Sequence, residues 1–151
     1  MTTICTVRQL VLGALALVLA MILPATTNAQ QETAVWHFGT RNALDFNVPP
    51  ATPAGPVEAV SEINAFEGTA VICDRTTGQT LFYTQGEYVW GRDNLMFPGA
   101  NLANPLGGGA SSTQAALVVQ DLSNPNRYYL FTTDQEASGD AEYSVVDMTL
   151  R

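Results

Sequence analysis

The chain has 151 residues, 46% of them apolar and 13% charged, with 14 acidic groups against six arginines and no lysine. This composition excludes a disordered polypeptide, and the length bounds the chain to about one ordinary domain. A net charge of −8 repels nucleic acid and anionic lipid, so neither is an expected partner.

Residues 10–23, LVLGALALVLAMIL, form a short apolar block preceded by Arg8 and followed by PATTNAQ. Thr27 and Ala29 stand where signal peptidase prefers small residues, so residues 1–29 are expected to be a secretory signal, cut after Ala29. The alternative, a membrane-spanning helix, needs about 20 apolar residues, more than this block supplies. Removal leaves 122 residues (151 − 29), with five arginines against 14 acids and hence a net charge of −9. No membrane insertion is expected after that cut. Cys5 leaves with the signal, so Cys73 has no internal disulfide partner and is expected to be a small buried side chain.

Residues 30–151 are expected to form one β-repeat region. No stretch after residue 30 carries apolar residues at helical spacing for three turns, and Gly, Pro, Asn and Asp recur every few positions. Strands are predicted over 34–38, 69–74, 80–84, 87–90, 114–120, 127–133 and 142–148, each rich in β-branched and aromatic residues. Between them lie turns. Gly78 supplies a positive backbone angle in RTTGQ, GRDN joins Trp90 to Leu95, and SNPNR holds an Asn-Pro pair that cannot stay in a ladder. Two longer connections, 47–68 with four prolines and 98–113, are predicted to be surface loops.

The stretch TAVICDRTTGQTLFYTQGEYVW, 69–90, holds three continuous apolar runs, where a strand with one wet face would alternate. Both faces must therefore be covered. An internal echo points the same way: Ala70 matches Ala116, Asp74 matches Asp121, Leu81-Phe82 match Leu130-Phe131, Thr84 matches Thr133, and Glu87-Tyr88 match Glu142-Tyr143. Repeats of about 40 to 50 residues that each give a few antiparallel strands are characteristic of propeller blades stacked on both sides. The expected fold class is therefore all-β, an unclosed propeller-like array of short antiparallel strands following the signal helix. A simple sandwich is the alternative.

The strings VWHFGTRNALDFN, FEGTAVICDRTTGQTLFYTQGEYVWGRDN, LGGGASSTQAALVVQDLSNPNRYYLFTT and AEYSVVDMTLR resemble the amino-terminal region of large secreted surface proteins associated with gliding motility. The resemblance spans 34–151 in order, through Trp36, Phe38 and Gly39, the run Leu44 to Asn47, Glu67-Gly68, Leu81 to Thr84, Ser111 to Gln114, and Tyr128-Tyr129. It departs at His37, where that pattern has Tyr, and in the turn after Trp90. The resemblance implies a bacterial cell-surface location and a propeller-like region followed by immunoglobulin-like modules and a type IX sorting domain. It implies no catalytic residue. At 45 to 50 residues per blade, 122 residues make about two and a half blades, whereas propellers close with at least four. Further repeats of the same polypeptide are accordingly expected.

Each chemistry-bearing residue has a plainer reading beside the functional one. His37, the sole histidine, lacks any sequence sign of a paired nucleophile and is expected to pack in the core or at a strand edge. Gly107-Gly108-Gly109 with Ser111, Ser112 and Thr113 lacks the lysine and following helix of a phosphate loop, and is expected to be a flexible loop. Asp134, Glu136, Asp140 and Glu142 match no calcium-loop spacing and are expected to form a solvated hairpin tip. Glu67 and Asp74 invite a glycosidase pair, but Asp74 is expected to end a strand before the Gly78 turn. Trp36, Trp90, Tyr83, Tyr88, Tyr128 and Tyr129 offer a carbohydrate platform, though most are expected in the core. No catalytic or metal-binding residue is assigned, no cofactor is expected, and no ligand-binding residue is singled out. The leading expectation is a secreted, non-catalytic module that binds or displays, with a cell-surface glycan or protein as partner. A fragment of a secreted carbohydrate-active enzyme is the alternative, and a spacer without ligand the third.

Overall fold

The computed structural model describes residues 31–47, 55–135 and 140–150. The signal expected over 1–29 lies outside the described residues, as does Glu136. What is described is all-β: nine strands in three separate three-stranded antiparallel sheets, with helix confined to single 3-10 turns at Gln31–Thr33 and Met148–Leu150. The first sheet is β1 (Val35–Phe38), β2 (Thr40–Asp45) and β3 (Val57–Asn64); the second is β4 (Ala70–Cys73), β5 (Thr80–Thr84) and β6 (Val89–Gly91). The third is β7 (Ala116–Gln120), β8 (Arg127–Thr133) and β9 (Ala141–Asp147), and in every sheet the strands lie in chain order.

The seven predicted strands all form, within two residues at each end. Their turns are built as the residue types require. Gly78 has φ +68°, and a side chain there would strike the Asn47 amide, whose nitrogen donates to the Gly78 carbonyl. Asp74 Oδ1 accepts from the backbone N–H groups of Thr76 and Thr77, and Asp121 Oδ1 serves Ser123 in the same way. Asp74 is held below the usual carboxylate range by these bonds, and Asp121 chiefly by the Ser123 hydroxyl, which donates to it as well.

A strand outside the predicted set lies ahead of residue 47, and another contradicts the surface loop expected over 47–68. β3 occupies Val57–Asn64 in its second half, and β2 precedes it. Their sequences, TRNALD and VEAVSEIN, do not alternate and carry little β propensity. Pairing makes them strands: Trp36, Leu44 and Glu58 lie side by side across the sheet, and β2 hydrogen-bonds on both sides. Where the repeat length counted about two and a half units, the described residues form three three-stranded sheets. The 98–113 connection is non-strand, as expected, apart from a bridge between Asn101 and Asn104.

The middle sheet explains the continuous apolar runs. Val71, Tyr83 and Trp90 face the first sheet, where Ile63 and Ala65 complete a core cluster. Ile72, Phe82 and Val89 face the third sheet and meet Tyr128, Leu130 and Val146. Every residue of β5 but Leu81 is buried. The flanking sheets behave differently: β7 alternates half-buried and exposed, because only one of its faces has a neighbour. The stack is thus open at both ends among the described residues. Within it the first strands lie closest, β4 beside β1 on one side and beside β7 on the other. The third strands stand apart, leaving clefts between β3 and β6 and between β6 and β9.

The ladders also adjust the internal repeat. Ile72 pairs with Phe82 and Leu117 with Phe131, each pair on the face its sheet turns away from β1. Residue for residue, Ile72 therefore corresponds to Leu117, one position off the Ala70-to-Ala116 match, while Phe82 corresponds to Phe131 as the sequence reads.

Candidate functional site

Aromatic rings connect the interior to the cleft between β3 and β6. Tyr83 stacks on His37, with ring centroids 3.8 Å apart and planes within 10°, and on its other side on Trp90 at 5.6 Å, again within 10°. Tyr88 meets Trp90 edge-on at 5.8 Å. The Tyr83 hydroxyl accepts from the Glu62 N–H at 3.1 Å and donates to Asn94 Oδ1 at 2.7 Å, which fixes the column against β3 and the β6 turn. A cleft of about 490 Å³ opens at the end of this column. Tyr88, Trp90, Met96 and the exposed Phe66 give it apolar walls, and Glu62, Asn64, Glu87 and Gln135 give it a polar rim. Gln85 lies at its base, buried, with Oε1 accepting from the Tyr88 N–H at 3.0 Å. Glu62 is paired with Arg41, so the rim carries one compensated and one free-standing carboxylate position.

This surface suits a neutral, hydroxyl-rich ligand. Tyr88 and Phe66 offer apolar surface, while carboxylates and amides accept and donate at the edges. Two glutamates in an acidic protein disfavour an anion.

The sole histidine lies elsewhere. His37 Nδ1 is 2.9 Å from Ser61 Oγ and Nε2 is 3.4 Å from Thr80 Oγ1, a Ser-His contact the sequence did not reveal. All three side chains are buried between the first and second sheets, and Ser61 Oγ also accepts from the Ile63 N–H. Burial lowers the imidazole pKa to about 4, so at neutral pH it is uncharged. The trio ties the first sheet to the second.

Glu67 and Asp74 are not brought together. They flank opposite ends of β4, whose four residues span about 13 Å, beyond the carboxylate separation a glycosidase uses. Glu67 accepts from Thr113 Oγ1 at 2.8 Å. The glycine run is not a loose loop, which corrects the expectation. Gly108 lies so close to Gly86 that an added Cβ would sit 2.5 Å from its carbonyl oxygen. The same segment is bonded throughout: Leu106 N–H donates to Glu87, Gly109 N–H to Thr133, Phe66 N–H to Ala110 and Gly68 N–H to Ser112. Of the acidic group, Asp134, Asp140 and Glu142 are described, and no cluster of three or more metal-ligating side chains occurs among the described residues. Cys73 is buried and free, its Sγ 3.9 Å from the Val35 carbonyl, and burial pushes its thiol pKa up. Of the six aromatic candidates, Tyr83, Trp90 and Tyr128 are core residues, Tyr88 and Tyr129 are half-buried, and Trp36 is exposed on the outer face of the first sheet.

Phe66, Glu62, Asn64 and Gln135 escaped the sequence reading. The first three fall in a segment read as loop, and nothing local marks any of them as neighbours of Trp90. Comparison with family models, characterised proteins and solved structures finds no match to this chain.

Proposed function

We propose that this protein is an exported cell-surface module of the gliding-associated kind, a propeller-like array that binds carbohydrate without turning it over. Support for the arrangement comes from the middle sheet, covered on both faces, and from the close approach of β1, β4 and β7 while the third strands diverge. The apolar block before Ala29 supports export. One observation carries the binding reading: the β3–β6 cleft sets the half-buried Tyr88 and the exposed Phe66 beside a carboxylate-and-amide rim.

A glycan array probed with the protein tests this. Neutral oligosaccharides are the expected hits, and Phe66→Ala and Glu87→Gln are expected to weaken them roughly tenfold each, about 1.4 kcal/mol, without shifting the melting temperature. Silence across the array, or affinity unchanged in both variants, refutes the assignment. Release of shortened sugars on incubation would instead favour the enzyme alternative.

A further inference from the structure

Two apolar sheet faces lie bare at opposite ends of the stack. On the third sheet these are Leu117, Val119, Phe131, Tyr143 and Val145, from 44% to 66% exposed. On the first they are Trp36, Phe38 and Val60, from 39% to 74% exposed. On the third sheet these side chains are contiguous across all three strands, whereas on the first Asn42 stands between Phe38 and Val60; contiguous apolar patches mark contact sites where scattered side chains do not.

The internal interfaces indicate what fits them. Phe131 and Leu117 stand on the third sheet as Phe82 and Ile72 stand on the second. In the stack, Phe82 meets the ring of Tyr128 on the next sheet edge-to-face at 5.4 Å. Phe131 is therefore placed to receive an aromatic-bearing β face, and the first sheet carries one in Trp36 and Phe38.

We propose that two copies associate head to tail, the outer face of the third sheet of each covering the outer face of the first sheet of the other. The contact is heterologous, so its repetition must close or run on. Two copies bring six sheets, inside the four-to-eight range of closed propellers, and closure leaves no bare end. The area is sufficient. Exposed portions of roughly 100 Å² for each of eight side chains give roughly 800 Å² of apolar surface. At the usual apolar share this corresponds to about 1,400 Å² buried per contact, within the range of stable interfaces.

Sedimentation and light scattering of the protein test the proposal. A discrete two-copy species is expected at about 100 μM, since interfaces of this size range from micromolar upward in strength. Phe131→Asp and Trp36→Asp, both at exposed positions, are each expected to give monomers that still melt cooperatively, at a temperature lowered by the lost association; Leu117→Asp and Val60→Asp serve as second variants at the two faces. Mixing the Phe131→Asp and Trp36→Asp proteins restores a one-to-one pair, because one intact third-sheet face then meets one intact first-sheet face. A monomer at all concentrations overturns the proposal. So does a pair that survives Trp36→Asp, which would mean third sheet against third sheet, and so does failure of the mixture to associate. Growth beyond two copies overturns the closure.

Discussion

Lowering the pH through the titration of His37 should weaken the fold before any carboxylate does. The imidazole is 4% exposed, stacked on Tyr83 and bonded to Ser61 and Thr80, and its pKa is about 4 against an ordinary 6.5. Between these values the unfolded chain holds a proton that the folded chain does not, so stability rises with pH across that window and is lost as pH falls through it. The difference of 2.5 units is worth about 3 kcal/mol in full, and about 2.5 kcal/mol is already lost at pH 4.5. That is a large share of a typical folding free energy. Asp74, Asp121 and Asp147 have lowered pKa values, so the stability they contribute is lost only below the ordinary carboxylate value of 3.8. Urea denaturation at pH 7 and pH 4.5 should therefore show a midpoint lower by about 1 to 2 M at the acid end. In His37→Gln, whatever its stability at pH 7, most of that difference should vanish. An imidazole that titrates near 6.5 by NMR, or a variant with the same pH slope as the parent, would refute the reasoning.

Three further outcomes can be checked by simple means. Thr132 Oγ1 is fully buried with no hydrogen-bond partner, so Thr132→Val should raise stability by about 1 kcal/mol in a thermal melt. Gly108→Ala places a Cβ 2.5 Å from a backbone oxygen that cannot easily move, and should cost about 2 kcal/mol or more in urea denaturation. Cys73, buried and with its thiol pKa raised, should resist iodoacetamide in the native protein and react at once in denaturant. Rapid native labelling would place it at a surface.

The strands that could be read in the sequence are those whose side chains state their surroundings locally. TLFYT and RYYLFTT coincide with β5 and β8 because aromatic and β-branched residues crowd there and turn residues bound them. The unbroken apolar runs of the second unit revealed a sheet covered twice, and Val71 and Ile72 do point to opposite neighbours. β2 and β3 were illegible because their strand character comes from partners rather than from their own residues, with polar Arg41 and Asn42 in one and acids at 58 and 62 in the other. The site failed for the same reason. Trp90 was among six aromatics singled out, most of them expected in the core, but the rim residues Glu62 and Asn64 reach it only through the packing of β3 beside β6. His37 and Ser61 are 24 positions apart, and their contact needs the whole first sheet.

The segment from Leu106 to Ala115 joins three parts of the chain: it meets Glu87 of the second unit, Phe66 and Gly68 in the link that follows the first, and Thr133 of the third. It works as a clasp. Stacked repeats joined only to their neighbours can peel away one by one under load. Here the third unit cannot swing free without tearing bonds to the second unit and to the link that follows the first, so force applied at one end is shared among them and rupture should be a single event.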